Sequence, residues 1–295
     1  MSNTKRALVL SAGGAKGAYQ VGVLKKWLYE DELDYDILCG VSVGAINVLK
    51  LGLIEYGKPK EAYSLLYNDW KNISKKDIYR DWHPLGKLSA LWKQSIYDCE
   101  PLYTLIKKDF DIKKIRNSKK QIRIGAVCLN DGTKYFATEK DDNLSDWCCA
   151  SASVPILMKP MLIKNKLWID GGIKVLTPIS QAVQMGATEI DIISCSGSVN
   201  KFWKPKNNIL ELLNIAYRSY ELMAERIMKA DFHAIGLYNQ FSIIKQQKFD
   251  NVKIRIIRPQ KTLYDKADLL DFDNYHVLKM IEAGYNDACK YTKNI

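Results

Sequence analysis

The residues Gly40-Val41-Ser42-Val43-Gly44 form a G-x-S-x-G pattern between two apolar runs. The apolar run before it, Tyr35–Cys39, predicts a buried strand, and the run after it, Ala45–Leu51, predicts a helix. A strand that turns sharply into a helix strains the central residue and exposes its hydroxyl at the carboxyl edge of a sheet. Gly40 and Gly44 leave room where the two backbones nearly touch. The pattern predicts a nucleophile elbow at Ser42, with an ordinary glycine-rich turn as the alternative.

Length and composition indicate a globular α/β protein. The 295 residues are 47% hydrophobic and 26% charged, which excludes a disordered chain. Repeats, low-complexity tracts and clear linkers are absent from the sequence. We therefore expect one domain over residues 1–295, with a motif-bearing core of about 5–195 and a C-terminal completion over 196–295.

The sequence contains neither a signal peptide nor an apolar run near the ~20 residues that span a bilayer. We therefore expect a cytoplasmic protein that meets membranes only peripherally. Seven cysteines, an odd number without a C-x-x-C pair, argue against a disulfide framework or a zinc site. Acidic residues show no calcium-loop spacing. The expected set of metals and cofactors is therefore empty.

The charge balance is strongly basic, with 44 Lys and Arg against 33 Asp and Glu, a net charge of +11. Such a surface favours nucleic acids, anionic membranes or acidic partners, or it serves solubility alone. No nucleic-acid-binding motif accompanies the charge, so nucleic acid is not an expected partner. The basic runs, the last of which includes Phe202 and Trp203, are Lys107-Lys108, Lys113-Lys114, Lys119-Lys120 and Lys201–Lys206.

A glycine-rich loop, Ser11–Gly17, follows the first predicted strand, Lys5–Leu10. Dinucleotide binding would require G-x-G-x-x-G, but Ala12 stands at the first glycine. Nucleotide phosphate binding would require G-x-x-x-x-G-K-[ST], and that spacing is absent. The third use is donation of backbone N–H groups to an oxyanion. The neighbouring elbow favours this third use.

Together the two motifs resemble those of the patatin-like phospholipases, a family of lipid acyl hydrolases. Asp170-Gly171-Gly172 is similar to the family's D-G-G/A motif, and Ala150–Pro155 resembles the helix end before it. The resemblance spans about residues 5–195. It implies a three-layer α/β/α sandwich with a mainly parallel central sheet. The usual loop of the family is G-G-G-x-R/K-G, and Ala12 departs from it.

The resemblance also implies the site. Ser42 would be the nucleophile and Asp170 the general base of a Ser–Asp dyad, with an acyl-enzyme intermediate. Gly13 and Gly14 would supply the oxyanion hole, with Lys16 in support or simply solvated. Substrates would be phospholipids or related acyl esters. The glycines that shape the motifs are Gly40, Gly44, Gly171 and Gly172.

Two other functions remain open at this stage. A Ser-Asp-His triad of an α/β-hydrolase esterase or thioesterase would need one of the chain's three histidines, His83, His233 or His276. The last two fall in predicted helices, where histidines mostly pack or face solvent. A patatin fold without catalysis would be a binding or storage protein.

Several further elements follow from the pattern of the chain. Lys113–Lys120 is predicted as a basic loop, Met161–Ile169 as a hairpin and Asn207–Asp231 as a long helix. The role of residues 71–121 as lid or core is left open. The tryptophans Trp82, Trp92 and Trp203 suit either a membrane interface or the core.

Overall fold

The computed structural model describes residues 4–84, 86, 89, 92–196, 215, 218–219, 222–233, 252–260, 263 and 269–292. The strands in this part of the chain are β1 (Arg6–Leu10), β2 (Ile37–Val41), β3 (Arg80–Asp81), β4 (Tyr97–Asp98), β5 (Gln121–Cys128), β6 (Lys134–Ala137), β7 (Met161–Ile163), β8 (Lys166–Asp170), β9 (Glu189–Ile193) and β10 (Lys253–Ile257). The basic run Lys201–Lys206, with Phe202 and Trp203, lies outside the described residues.

A mixed, mainly parallel sheet forms the centre of the described structure. Its strand order is β10-β9-β1-β2-β5-β8-β7, and β6 pairs with β5 off this path. The neighbouring pairs β10–β9, β9–β1, β1–β2 and β2–β5 are parallel. The strands β6, β7 and β8 add antiparallel pairs at the other side. The expected mainly parallel sheet is confirmed.

Helices flank both faces of this sheet. They are α1 (Gly17–Leu24), α2 (Val43–Leu51), α3 (Pro59–Asn72), α4 (Lys75–Ile78), α5 (Glu100–Lys108), α6 (Ile112–Asn117), α7 (Leu144–Ser151), α8 (Ile179–Gln184), α9 (residues 222–233) and α10 (Asn274–Thr292). None of the described helices has both the length and the apolar content that a bilayer span needs.

Successive side chains of the central strands point to opposite faces of the sheet and belong to two separate hydrophobic cores. In β1, Leu8 and Leu10 belong to the larger core, which includes residues of α1, α2, α3, α5, α7 and α10. Ala7 and Val9 face a smaller core formed with α8, against which Phe232 of α9 packs. Because each β-strand presents alternate residues to opposite faces, the sheet lies between two helical layers. The expected α/β/α arrangement is confirmed.

The described structure contradicts one prediction of local structure and covers only part of another. Lys113–Lys120 was expected to be a loop, but α6 covers most of it. The Asp111 side chain accepts the N–H groups of Lys113 at 2.9 Å and Lys114 at 3.2 Å, which caps this helix, and Ile115 is fully buried. About half of the predicted helix Asn207–Asp231 lies outside the described residues, and its described end belongs to α9.

Candidate active site

Ser42 is the single residue between strand β2 and helix α2. Strand β2 ends at Val41 and α2 begins at Val43, while Ser42 has φ 57° and ψ −126°. Non-glycine residues rarely adopt this conformation, which costs about 1–3 kcal/mol where it occurs. A Cβ atom on Gly44 would lie 2.3 Å from the Leu10 carbonyl oxygen, so only glycine fits this close crossing. A strand, a strained residue and a helix thus follow one another as a nucleophile elbow would require.

The N-terminus of α2 begins directly after Ser42. Its first turn is anchored by Ala45 N–H, which donates to the Ser42 carbonyl oxygen at 2.9 Å. The unpaired N–H groups and the dipole of a helix N-terminus favour negative charge. An anion that forms at the Ser42 hydroxyl or on a carbonyl bound to it would be stabilised here.

The register of β5 explains how Asp170 comes to lie beside Ser42. Strand β6 pairs with both Gly125 and Ala126, so it occupies one edge of β5. Val41 of β2 pairs with Gly125, and Asp170 of β8 pairs with Ala126. Both strands must therefore share the opposite edge, where their ends meet. A parallel strand and an antiparallel strand thus deliver Ser42 and Asp170 to the same point from opposite directions.

The Asp170 carboxyl is fully buried. Its Oδ1 accepts the Gly172 N–H at 2.7 Å, and its own N–H donates to the Ser153 carbonyl oxygen at 3.0 Å. Its Oδ2 has no hydrogen bond of ordinary geometry among the described residues. Burial raises the pKa of Asp170 to about 7, although the Ser42 hydroxyl and the Gly172 N–H both lower it. A carboxyl of this pKa is a far better base than an ordinary aspartate.

The glycine-rich loop lies against the strand end next to the elbow. Gly14 has φ 56° and touches the backbone of Leu269, whose carbonyl oxygen accepts the Ala15 N–H at 2.8 Å. The N–H groups of Gly13 and Gly14 make no hydrogen bond among the described residues. Gly14 and Ser42 line one shared cavity. Two unused backbone donors next to a serine are what an oxyanion hole requires.

Lys16 ends the short 3-10 turn that follows these glycines. Its carbonyl oxygen lies 3.4 Å from the Cys195 sulfur. Burial raises the pKa of the Cys195 thiol to about 12, although the nearby positive charge of Lys16 lowers this pKa in part. Lys16 therefore borders the glycine-rich loop on the side of Cys195.

Ser151 is a site residue whose role the sequence did not reveal. Its hydroxyl donates to the Gly125 carbonyl oxygen at 2.6 Å and accepts the Ser42 N–H at 2.9 Å. The residue is fully buried at the end of α7. Because Ser151 ties the elbow to β5, it fixes the position of the strained residue. Its only signal in the sequence was membership of the motif Ala150–Pro155.

Replacing Ser151 by alanine should loosen this connection. Ser151→Ala leaves the Ser42 N–H and the Gly125 carbonyl oxygen buried without their partner, which costs about 1–3 kcal/mol of unfolding free energy. We expect a matching drop in denaturant midpoint and a lower kcat in ester hydrolysis. Ser145→Ala, which changes a serine at the other end of the same helix, is the control. Equal stability of both variants would contradict this role for Ser151.

The cavity at Ser42 continues as a long apolar cleft. It contains about 950 Å³ of empty space, part of it open to solvent. Helix α2 forms one wall, α3 a second, and α5 a third. Apolar side chains dominate the lining, among them Ile46, Leu66, Ile73, Leu102, Ile106 and Phe110. A cleft of this character accepts a hydrocarbon chain. From the 71–121 region, Ile73, Ile78 and several side chains in and just after α5 line the cleft.

The three histidines all lie within the described residues, and none forms a hydrogen bond with Ser42 or Asp170. His276 instead contacts the Asp271 carboxylate through Nδ1 at 2.7 Å, near the start of α10. His233 is exposed on α9. In the described part of the chain, no three His, Cys, Asp or Glu side chains are grouped closely enough to hold a metal ion.

The part of the sequence that forms this site matches a known protein family. The family model described as patatin-like phospholipase matches residues 8–183, more than half of the chain. The chain belongs to this family. Patatin-like phospholipases are lipid acyl hydrolases that act on lipid substrates. The matched range contains the glycine-rich loop, the elbow, Ser151 and Asp170.

Two individual proteins are also similar to this patatin-like chain. An uncharacterized protein of Acanthamoeba polyphaga mimivirus, L620, is 27% identical over 194 residues, 52% of this chain and 51% of that protein. The chain thus spans about half the length of this curated relative. The crystal structure of VipD from Legionella pneumophila aligns over 99% of this chain and 67% of its own, at 12% identity and a TM-score of 0.44.

Proposed function

We propose that this chain is a serine lipid acyl hydrolase that cleaves acyl esters of phospholipids or related lipids. The observation that carries the proposal is the meeting of Ser42 and Asp170 at one edge of β5, beside an apolar cleft. A serine hydroxyl is a weak nucleophile until a base accepts its proton. The buried Asp170 carboxyl, with its raised pKa, is placed to be that base.

Acylation begins with the substrate's acyl chain in the cleft and its ester carbonyl at Ser42. Ser42 Oγ attacks the carbonyl carbon as its proton passes to Asp170. Negative charge moves to the carbonyl oxygen, where the N–H groups of Gly13 and Gly14 receive it. One such donor typically contributes about 3–4 kcal/mol to the transition state. The protonated Asp170 then gives its proton to the departing lysolipid or alcohol.

Deacylation repeats the steps with water in place of the alcohol. Asp170, again ionised, takes a proton from the water molecule that attacks the acyl-enzyme. Ser42 Oγ leaves with that proton, and a free fatty acid is released. Gly171 and Gly172 hold the base against β5 throughout, because Gly172 N–H fixes Asp170 Oδ1 at 2.7 Å.

The geometry supports a dyad over a Ser-Asp-His triad. A triad needs a histidine between the carboxylate and the serine, but none of the three histidines bonds to Ser42 or Asp170, and His276 bonds to Asp271 instead. A non-catalytic patatin fold would have no need of a strained serine next to a buried carboxyl without a compensating charge. These features favour catalysis over storage.

The test is hydrolysis of a phospholipid in detergent micelles and of a short-chain ester of the same acyl type. We expect release of free fatty acid by the native chain and none by Ser42→Ala prepared in parallel. Fatty acid release that is equal in both preparations would identify a contaminant and reject the proposal. A histidine-dependent activity would instead favour the esterase alternative.

Hydrolysis should need no divalent metal. The dyad and the oxyanion donors supply the base and the charge stabilisation, so the chemistry has no step that a metal must perform. Excess chelator should leave the turnover of a soluble ester unchanged. A strict requirement for added calcium, restored by calcium alone, would contradict this mechanism.

The basic charge leads to a proposal about the substrate surface. Of the described basic runs, Lys107 pairs with Asp146, Lys119 with Glu55 and Lys120 with Asp34. The exposed members Lys108, Lys113 and Lys114 lie at the end of α5 and in α6. We propose that they help bring the enzyme to anionic membranes. Each such residue contributes about 1 kcal/mol near an anionic surface.

Vesicle binding tests this role. Binding should rise with the fraction of anionic lipid and fall as salt is raised, because screening shortens the reach of the charges. Turnover of a soluble short-chain ester should change far less with salt. Changing both Lys113 and Lys114 to Glu should weaken binding to anionic vesicles only. Equal binding to neutral and anionic vesicles across the salt series would mean that the charge serves solubility.

A further inference from the structure

The lining of the apolar cleft includes one group of charged side chains. Lys50 lies on α2, eight residues beyond Ser42, which places it roughly 12 Å further along the helix axis. Its ammonium group contacts the Asp69 carboxylate at 2.8 Å and the Asp109 carboxylate at 3.0 Å. All three residues line the same cavity as Ser42. The cavity that contains Ser42 is thus also lined by an ion triad farther along α2.

The triad connects the walls of the cleft. Lys50 belongs to α2, Asp69 to α3, and Asp109 directly follows α5. The Lys50 side chain is 12% exposed, whereas those of Asp69 and Asp109 are 36% and 52% exposed. The ammonium group therefore sits on the inner side of the triad, toward the apolar lining. Its two carboxylates extend to the solvent.

We infer that the triad of Lys50, Asp69 and Asp109 closes the acyl-chain channel and sets the longest acyl chain that the enzyme hydrolyses efficiently. This inference rests on the proposed function, because it takes the occupant of the channel to be the acyl chain of the ester bound at Ser42. The α2 residues that line the cavity between Ser42 and Lys50 are all uncharged. The acyl chain of the ester can therefore extend from Val43 past Ile46 and Leu49.

The physical basis is the contrast between the two kinds of surface. Each methylene that enters the apolar part contributes to binding, about fourfold in kcat/KM. A methyl end that reaches the triad must displace hydrogen-bonded charges, and separating buried charges from their partners is unfavourable. The gain per methylene should therefore stop at one chain length. Beyond it, kcat/KM should level off or fall.

The decisive variant is Lys50→Ala, which removes the inner charge and opens space behind it. The two carboxylates are exposed enough to be solvated without Lys50, so the variant should fold. Its preferred chain length should increase, with a gain of about fourfold in kcat/KM for each further methylene admitted. Hydrolysis of the shortest ester should stay unchanged. Lys50→Arg, which preserves the charge and both ion pairs, should retain the native profile.

The measurement is kcat/KM for esters of one alcohol with acyl groups from butyryl to palmitoyl. A matched control is Lys60→Ala, which breaks an ion pair between α3 and Glu32 away from the channel. Lys60→Ala should keep the native profile. Identical profiles for the native chain and a folded Lys50→Ala would overturn the inference while leaving the proposed function intact. Should Lys50→Ala fail to fold, Lys50→Met replaces it, because it removes the inner charge and keeps an apolar side chain of similar length, with the same expected direction.

A second readout separates this inference from the proposed function. If the native chain hydrolyses none of the esters, the proposed function fails. Calorimetric binding of the corresponding free fatty acids to the native chain and to Lys50→Ala then tests the channel directly. A length limit that shifts in Lys50→Ala supports the channel. No length limit, or the same one in both proteins, overturns it.

Discussion

Ser42→Ala should lower kcat/KM for ester hydrolysis on the order of ten-thousandfold or more, the loss that removal of a serine nucleophile typically causes. The reason is that no other hydroxyl occupies the elbow between β2 and α2. The oxyanion donors and the cleft remain, so substrate binding should change little. Initial rates with a soluble ester, measured on purified variant and native chain, provide the test. Turnover retained within tenfold would reject Ser42 as nucleophile.

Stability measurements on two variants of Ser42 make the result more specific. Alanine keeps the Cβ atom at φ 57°, so the strain remains. Ser42→Gly relieves it and should be more stable than Ser42→Ala by about 1 kcal/mol. Both variants should be inactive. A glycine variant no more stable than the alanine variant would show that the backbone at this position stores no strain.

Asp170→Asn should remove activity to a similar extent and change the dependence of stability on pH. The carboxyl pKa is about 7 in the folded chain and about 3.9 when unfolded. Between these values the folded state binds a proton that the unfolded state has released. Stability from this group is therefore fully present below pH 4 and is lost as pH rises to about 7. The loss is on the order of 4 kcal/mol.

The asparagine variant lacks this titration. It should resemble the native chain in stability near pH 4 and exceed it at pH 8, by up to the same few kcal/mol. Urea unfolding at the two pH values measures the difference. A variant that is less stable than the native chain at both pH values would indicate that the carboxylate is stabilised in the fold and is not the desolvated base described here.

The pH dependence of kcat/KM should reflect the ionisation of the same Asp170 carboxyl. The ionised carboxyl is the base, so kcat/KM should fall about tenfold per pH unit below pH 7 and level off above it. A histidine base would produce a similar curve. His83→Gln, His233→Gln and His276→Gln, made singly, should each keep both the activity and the inflection. Loss of activity in a folded His276→Gln would favour a triad.

Local features of the site could be predicted from the sequence because they depend on neighbouring residues. A strand, a G-x-S-x-G turn and a helix are contiguous, and steric constraints on the two glycines fix the geometry between them. The structure shifts only the boundaries, since β2 continues through Val41 and α2 starts at Val43. The hairpin of β7 and β8 was likewise predicted from one short stretch. The prediction of a loop at Lys113–Lys120 is wrong because the Asp111 side chain caps a helix there.

Long-range features were beyond such reasoning. The position of Asp170 depends on β2 and β8 sharing one edge of β5, which is a matter of register between distant strands. The Ser151 hydroxyl joins Ser42 and Gly125 across the fold. The apolar cleft is assembled from three helices, and the ion triad in its lining combines Lys50, Asp69 and Asp109. None of these contacts leaves a periodic or local pattern in the chain.

Labelling with a fluorophosphonate probe, followed by peptide mapping, tests directly whether Ser42 and Asp170 form a catalytic dyad. An activated serine forms a stable phosphonyl adduct, whereas ordinary serines do not react. The label should appear on Ser42, its rate should rise with pH to a plateau above about 7, and Asp170→Asn should abolish it. A label on a different serine, or unchanged labelling of Ser42 in Asp170→Asn, would contradict a Ser42–Asp170 dyad.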